Sequence, residues 1–268
     1  MKQQLKKFVL ADVEKFEEVG GKKIYPSGDY SDIKEFPSNS IFGAYSRFGD
    51  NCTFGNYIDF GRNCEFGVNN TFGNHINFEF GCIIRDKAHL GEGCNIGAIC
   101  QIGDNSKIGQ FARIGTGCFI GDYCVFETGC VFADSLNKIG DFCSFGDFCS
   151  FAKQTIFPTG TYFGSMCSFG EGCEFAEGCQ TENGHEFTNM FFVGQVGRRK
   201  ETIYFWQLAD GRILVRCKEI IGTLAEFMLK VRESRWDDKN AQDYILAVNY
   251  AISRLTCSCN YYDSVWIN

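Results

Sequence analysis

The chain has 268 residues, 22% of them charged, and a formal net charge of −7 at pH 7. It is long enough for an ample core, and it has no apolar run long enough to cross a bilayer, so we expect no membrane partner. Residues 1–185 hold 23 acidic against 15 basic side chains, and residues 186–268 hold 10 against 11. An acidic first part and a nearly neutral second part disfavour nonspecific binding to nucleic acid, and we expect no nucleic-acid partner.

Residues 1–39 are predicted to form a leader that caps the segment after it. Apolar residues recur near helical spacing at Leu5, Phe8, Val9, Val13 and Phe16. This spacing predicts an amphipathic helix over about residues 3–19. A helix here would cover the open end of a repeated structure and block pairing at its edge.

Residues 40–184 contain a six-residue repeat, in which a large apolar residue returns at every sixth position with a single one-residue slip. The large positions are Phe42, Phe48, Phe54, Phe60, Phe66, Phe72, Phe78, Ile84, Leu90, Ile96, Ile102, Ile108, Ile114, Ile120, Phe126, Phe132, then Ile139, Phe145, Phe151, Phe157, Phe163, Phe169 and Phe175. A fixed period of this kind predicts a solenoid. Each unit provides one short strand and one corner, so three units close a triangular coil of about 18 residues, and about eight coils stack as parallel strands.

Motifs within the repeat, such as S-x-F-G at Ser46–Gly49 and C-x-I-G at Cys94–Gly97, resemble those of the hexapeptide-repeat family. The resemblance covers residues 40–181 and implies a mainly β fold, the left-handed parallel β-helix. Glycine follows the large residue in most units, and we predict that it relieves unusual backbone angles at the corners.

Cysteine occupies the small inward position of many units. Of the 16 cysteines, 13 lie there: Cys52, Cys64, Cys82, Cys94, Cys100, Cys118, Cys124, Cys130, Cys143, Cys149, Cys167, Cys173 and Cys179. Free cysteine behaves as a small buried hydrophobe, and a straight row of sulfurs cannot surround a tetrahedral metal, so we predict core packing without a metal site. Met1–Val9 lacks the apolar core of a secretory signal. Together these features predict a reducing, cytoplasmic location.

Residues 185–268 are predicted to form a small β-β-β-α-α domain. Strands are expected at Met190–Val196, Thr202–Leu208 and Arg212–Cys217, with Asp210-Gly211 as a hairpin turn. Thr223 and Glu226 match a helix capping box. A second helix is expected at about Lys239–Leu255.

This region resembles a module of bacteriophage and prophage proteins. The resemblance rests on Thr202-Ile203-Tyr204-Phe205, Val215-Arg216-Cys217 and Gly222-Thr223-Leu224-Ala225-Glu226-Phe227. It implies a phage context, and hence the cytoplasm of a bacterial host, but no chemistry.

The glycine pattern of the repeat is broken most visibly in one predicted coil. Glu79 and Arg85 replace successive glycines, Lys87 and His89 follow, and His75 lies at the corner before them. These residues favour a polar site at a subunit boundary. The alternative interpretation is that exposed corners simply tolerate charge.

The hexapeptide-repeat resemblance implies one function, acyl transfer from acyl-coenzyme A, by homotrimers with active sites between subunits. A histidine base is commonly needed for this reaction. The chain has three histidines, and His75 or His89, with Glu79, are the candidates. Acetyl-coenzyme A is expected only under this interpretation. The chain lacks the long loop that such enzymes often extend from the prism.

A non-catalytic binding protein without a cofactor is the favoured hypothesis, in the form of a phage sponge that sequesters an anionic, nucleotide-like immune signal. Arginine and lysine side chains suit phosphate, and exposed aromatic rings suit a base. The candidate ligand contacts are Arg85, Lys87, His89, Arg198, Arg199, Lys200, Tyr57, Phe111 and Tyr123.

A structural or assembly role is the third hypothesis. Apolar residues at predicted outward positions, Ile83, Phe119, Val125 and Val131, indicate self-association, and we expect a homotrimer.

Overall fold

The computed structural model describes residues 5–133, 136–170, 172–181, 184–208, 210–218, 220–233 and 238–256. The chain divides into two compact units, residues 1–184 and 185–268. None of the helices in these ranges is long and apolar enough to cross a membrane.

The first unit consists of one helical turn and many two-residue strands. These elements are α1 (Leu10–Val13), β1 (Glu18–Val19), β2 (Lys22–Tyr25), β3 (Asp29–Tyr30), β4 (Glu35–Phe36), β5 (Ser40–Phe42), β6 (Arg47–Phe48), β7 (Thr53–Phe54), β8 (Asp59–Phe60), β9 (Glu65–Phe66), β10 (Thr71–Phe72), β11 (Asn77–Phe78), β12 (Ile83–Ile84), β13 (His89–Leu90), β14 (Asn95–Ile96), β15 (Gln101–Ile102), β16 (Lys107–Ile108), β17 (Arg113–Ile114), β18 (Phe119–Ile120), β19 (Val125–Phe126), β20 (Val131–Phe132), β21 (Ser144–Phe145), β22 (Ser150–Phe151), β23 (Ile156–Phe157), β24 (Tyr162–Phe163), β25 (Ser168–Phe169), β26 (Glu174–Phe175) and β27 (Gln180–Thr181).

The strands stack into the faces of a triangular prism, which confirms the predicted left-handed parallel β-helix. The first face has ten strands, β1-β2-β5-β8-β11-β14-β17-β20-β22-β25, and the second has nine, β4-β7-β10-β13-β16-β19-β21-β24-β27. The third face contains β3-β6-β9-β12-β15-β18, and β23 pairs with β26. Only β1 is antiparallel in the first face, so the prism has about nine coils. The estimate of eight was low because the coils begin at Lys22–Tyr25, which pairs in parallel with Ser40–Phe42.

The predicted helix over residues 3–19 is wrong, since the helix of this segment is the single turn Leu10–Val13. The backbone N–H of Phe8 donates to the carbonyl of Asp29 at 2.9 Å. The Phe8 ring is buried and stacks on Tyr30 with centroids 5.1 Å apart. Pairing with the first coil and burial of this ring therefore override the helical spacing.

The prism interior is filled as predicted, with large apolar residues and free cysteines. Successive phenylalanines on one face stack, as Phe36 does on Phe54 at 4.8 Å and Phe54 on Phe72 at 4.7 Å. The 13 cysteines of the repeat are unpaired, and all except the half-buried Cys173 are buried. Their thiols donate to backbone carbonyls, as Cys118 Sγ does to Gly97 O at 3.2 Å.

The glycine after the large residue has a different role from the one predicted. Left-handed backbone angles occur instead two residues after that glycine, as at Tyr57 (φ 59°) and His75 (φ 56°). A Cβ built on Gly55 would lie 2.4 Å from the backbone N of Ser38 in the preceding coil. These glycines are therefore needed because adjacent coils approach closely.

The second unit is an antiparallel sheet followed by two helices: β28 (Phe187–Val196), β29 (Glu201–Leu208), β30 (Ile213–Cys217), β31 (Ile220–Thr223), α2 (Leu224–Glu233) and α3 (Asp238–Thr256). The fourth strand, which pairs with β30, was not predicted because its four residues run directly into α2. The capping box is confirmed, since Thr223 N–H donates to Glu226 Oε2 at 2.8 Å and Glu226 N–H to Thr223 Oγ1 at 3.3 Å.

Candidate functional site

An open groove of about 380 Å³ lies where the second face of the prism turns toward the first. We call it the corner groove and define it by its polar side chains. These are Asn74, His89, Glu92, Lys107, Gln110 and Glu127.

The repeat places His89 and Lys107 next to each other. Both point outward from the second face, where His89 lies between Thr71 and Lys107 in adjacent strands, as the spacing predicted. Lys107 Nζ contacts Glu127 Oε1 at 2.8 Å, with the Glu127 side chain only 33% exposed. The groove thus combines an exposed imidazole with a partly shielded ion pair.

Glu127 was missed by the sequence analysis, although a signal for it existed. It follows the buried Phe126 and so replaces a repeat glycine, as Glu79 and Arg85 do. The two earlier replacements drew attention because they fall in succession. Glu127 is a single charged replacement, with none in the next unit, and only the 18-residue coil brings it beside Lys107.

The His89 imidazole is exposed and has no hydrogen-bond or ion-pair partner within the described part of the chain. A general base normally has a second group that orients its ring. The His89 ring is therefore available to a ligand, and no group in the described part of the chain orients it in this way.

A column of left-handed residues borders the groove. We call it the corner ladder: Asn39, Tyr57, His75, Gly93, Phe111, Gly129, Phe148 and Met166. Backbone hydrogen bonds connect its coils, as from His75 N–H to Glu92 O and from Gly93 N–H to Gln110 O, both at 2.8 Å. Asn74, Glu92 and Gln110 of the groove immediately precede successive ladder residues, so the groove and the ladder adjoin.

The structure brings three predicted residues, Tyr57, His75 and Phe111, onto this one ladder. The rings of Tyr57 and His75 stack, with centroids 5.0 Å apart and planes inclined by 17°. Tyr57 and Phe111 are 53% and 54% exposed. With His89 beside them, four of the predicted residues share one edge of the prism.

The other predicted prism residues lie at different corners. Lys87 and Tyr123 belong to the column of left-handed residues at the corner before the second face. Arg85 is the first residue of that corner in its coil. Tyr123 stacks there on Phe142 at 5.2 Å. Glu79 begins the third corner, between the first and third faces. The charged side chains of this coil are therefore distributed around the prism and do not meet at one corner.

Arg198, Arg199 and Lys200 lie in the second unit, in the exposed turn between β28 and β29. This turn contains left-handed backbone at Gly197 (φ 66°) and Lys200 (φ 51°). The three residues form a local basic turn, separate in sequence and in compact unit from the corner groove.

A buried polar cluster in the second unit was not predicted. Glu201 Oε2 accepts hydrogen bonds from Tyr244 Oη at 2.6 Å and from Cys217 Sγ at 3.2 Å, and Lys218 Nζ contacts Glu201 Oε1 at 2.7 Å. Burial alone would raise the pKa of Glu201, but these partners outweigh it and hold the pKa below its ordinary value. Burial, together with the nearby Glu201, raises the pKa of Cys217 to about 12. Because its members satisfy one another, the cluster ties α3 to the sheet.

Within the described ranges, no three histidine, cysteine or acidic side chains are grouped to hold a metal ion.

Comparison with known proteins agrees with this architecture. The family model of the bacterial transferase hexapeptide, six repeats, matches residues 99–134. The first unit is a left-handed β-helix of hexapeptide repeats. No curated protein and no solved structure matches the chain. The matched stretch of the β-helix contains Lys107, Gln110 and Glu127 of the corner groove, and it does not reach the second unit.

Proposed function

We propose that this protein binds a small nucleotide-like molecule in the corner groove of its β-helix without transforming it. The carrying observation is the exposed His89 imidazole in a polar groove of about 380 Å³. Ligand sites usually measure about 300–1,000 Å³, so this volume suits a molecule near the small end of that range, such as a mononucleotide.

The groove holds one lysine and two carboxylates, so it suits a ligand that presents hydrogen-bond donors beside a single anionic group. Lys107 has three N–H donors and is paired with one carboxylate, Glu127, so further donors can reach phosphate oxygens. His89 adds a second group for the same role. The carboxylates of Glu92 and Glu127 would repel a bare anion but accept hydrogen bonds from ribose hydroxyls or base amino groups.

The phage resemblance of the second unit supports a biological setting for this binding. Capture of an anionic immune signal of the bacterial host would serve a phage, and it requires tight binding but no turnover. The unoriented His89 imidazole fits this role better than general-base catalysis.

Acyl transfer from acetyl-coenzyme A is the second candidate, and the match to the bacterial transferase hexapeptide family favours it. In this reaction His89, or His75 at the same edge, would deprotonate an acceptor hydroxyl or amine. A neighbouring subunit would then have to supply the group that orients the imidazole.

One experiment separates these candidates. The purified protein is incubated with nucleotide second messengers and, separately, with acetyl-coenzyme A plus amine or hydroxyl acceptors. It is then washed and denatured, and the released molecules are identified by mass spectrometry. Recovery of an intact nucleotide is the expected result. Consumption of acetyl-coenzyme A would establish the transferase instead, and no retained molecule would favour a structural role.

Variants locate the site within the same experiment. His89→Gln combined with Lys107→Gln should lower nucleotide retention at least tenfold, since hydrogen bonds to charged groups contribute about 1.5–3 kcal/mol each. Arg113→Gln is the matched control, because it removes one exposed cation from the neighbouring first face. Retention lost only when Arg198, Arg199 and Lys200 are changed to alanine would place the site in the second unit.

A further inference from the structure

The corner ladder has two rungs without a side chain between two rings, Gly93 and Gly129, and Gly93 is the one that directly follows a groove residue, Glu92. Gly93 lies between His75 and Phe111, and all three have left-handed backbone. A Cβ on Gly93 would be 2.6 Å from His75 Nδ1, and a Cβ on Gly129 would be 2.6 Å from Phe111 Cδ1. The His75 ring therefore leans toward Gly93, and the Phe111 ring leans toward Gly129 to the same extent. The two rings remain two coils apart, a separation of about 9.6 Å.

This separation equals two ring-stacking steps. A planar ring placed halfway would lie about 4.8 Å from each neighbour. The stacked pairs of this chain have the same spacing, 5.0 Å for Tyr57 with His75 and 5.2 Å for Tyr123 with Phe142. The ladder thus has room for one ring at the Gly93 rung, with a ring already present on either side.

We propose that the ligand of the corner groove carries a planar heterocycle, which inserts at Gly93 between His75 and Phe111. This inference rests on the proposed function and names the part of the ligand that the ladder recognises. The ring belongs to the groove ligand because the polar side chains of the groove continue directly from the rung: Glu92 precedes Gly93, and Asn74 and Gln110 precede the two flanking rings.

The rim of the rung indicates which heterocycles fit. Glu92 offers acceptors at the Gly93 rung, and Gln110, one coil further on, offers an amide donor and an acceptor. The Asn74 Oδ1 already accepts the Glu92 N–H at 2.9 Å, so Asn74 has only its NH2 group to offer. Side-chain amides can form paired hydrogen bonds with the edge of adenine. The site is therefore suited to a nucleobase, with its sugar and phosphate extending toward His89 and Lys107.

The test compares two probes that differ only by the base, adenosine 5′-monophosphate and ribose 5-phosphate. Their binding to the full chain is measured by isothermal titration calorimetry and, at millimolar concentration, by saturation-transfer NMR. Stacking contributes about 1–3 kcal/mol per base. The nucleotide should therefore bind at least tenfold more tightly than the sugar phosphate.

Filling the rung should abolish this preference. Gly93→Phe places a ring where the base would insert. Its Cβ would lie 2.6 Å from His75 Nδ1, so the His75 ring has to turn aside, whereas Tyr57 and His75 show that two successive rungs can both carry rings. Gly160→Phe is the matched control, since Gly160 has similar backbone (φ 68°), its Cβ would also crowd the ring of the preceding coil (2.3 Å from Phe142 Cδ1), and it lies in another corner. Phe111→Leu provides a second variant if Gly93→Phe does not fold, and it should weaken nucleotide binding about tenfold.

Each outcome has a distinct meaning. Preference for the nucleotide that is lost in Gly93→Phe and kept in Gly160→Phe supports the proposal. Equal binding of both probes, weakened by His89→Gln, would overturn the inserted ring and leave the groove as an anion site. Binding of neither probe would overturn both proposals. Unchanged nucleotide binding in Gly93→Phe would also overturn the inserted ring. If the oligomeric state by analytical ultracentrifugation changes as well, a second copy of the chain fills the rung.

Discussion

At the scale of single residues, the cysteines show how a reactive side chain becomes part of the core. Their positions were predictable because the inward site recurs every six residues, and the structure leaves them unpaired. Burial raises the pKa of Cys94 to about 11, and only the thiolate reacts readily with alkylating reagents.

Burial also contributes to raising the pKa of Cys100, to about 12, so we expect buried Cys94 and Cys100 to resist alkylation in the native protein. Brief treatment with iodoacetamide, followed by peptide mass spectrometry, should leave Cys94 and Cys100 unmodified and label the half-buried Cys173 first. After unfolding in guanidinium, all three should react at similar rates. Native labelling of Cys100 as fast as in the unfolded chain would contradict the packed interior. Cys257 and Cys259 lie outside the described residues.

Glu201 gives the second unit a predictable response to acid. Its carboxyl has an ordinary pKa of 4.5, lowered in the folded state. Its contribution to folding is therefore fully present above pH 4.5 and decreases as the pH falls through the lower folded value. The three tryptophans of the chain, Trp206, Trp236 and Trp266, all lie in residues 185–268, so their fluorescence reports on this unit alone.

The midpoint of thermal unfolding, followed by tryptophan fluorescence, should fall as the pH drops below 4.5. In Glu201→Gln this midpoint should depend less on pH. Glu226→Gln is the control, because Glu226 is exposed and also has a lowered pKa. Identical profiles for Glu201→Gln and the unmodified protein would show that the buried cluster does not stabilise the unit.

At the scale of elements, the repeat reveals the strands but conceals the corner groove. Period and polarity are local properties of the sequence, so the buried positions and the coil length were correctly predicted. The groove combines side chains from successive coils, far apart in the sequence. Glu127 becomes part of the site only through its contact with Lys107. Left-handed positions such as Tyr57 and His75 lack a shared residue type, which hid the ladder from sequence analysis.

The glycine after the large residue and the glycine with left-handed backbone should differ in their sensitivity to substitution. Gly55→Ala would place a methyl group 2.4 Å from the Ser38 backbone, and we expect a loss of about 1–3 kcal/mol in the free energy of unfolding. Gly117→Asn should have little effect, because asparagine tolerates left-handed backbone and the nearest atom to a Cβ there, in Ile99, is 3.4 Å away. Urea titrations followed by circular dichroism measure both, and a reversed order would contradict the close-contact role of the repeat glycine.

At the scale of the whole molecule, the prism exposes apolar side chains on all three faces of one coil. Phe119, Val125 and Val131 lie on successive strands and are 46%, 40% and 39% exposed. Because they lie on three different faces, they do not form one contiguous patch, but each is available for a subunit contact. Self-association fits the behaviour of hexapeptide-repeat proteins, which commonly form trimers.

We predict a homotrimer that depends on this coil. Val125→Asp should shift the sedimentation coefficient toward that of a monomer, because an unpaired carboxylate would be buried at the interface. Thr53→Asp, in the same outward column of the second face, is the control. A Val125→Asp protein that sediments like the unmodified chain would remove this coil from the interface.

Binding in the corner groove is the central claim, and the three histidines of the chain allow one direct measurement of it. His75 and His89 border the groove, whereas His185 lies in the second unit. Their imidazole resonances, assigned with His→Gln variants, are followed by proton NMR as adenosine 5′-monophosphate is added. The resonances of His75 and His89 should shift together while that of His185 stays fixed. A shift of His185 alone, or of none of the three, would contradict the claim.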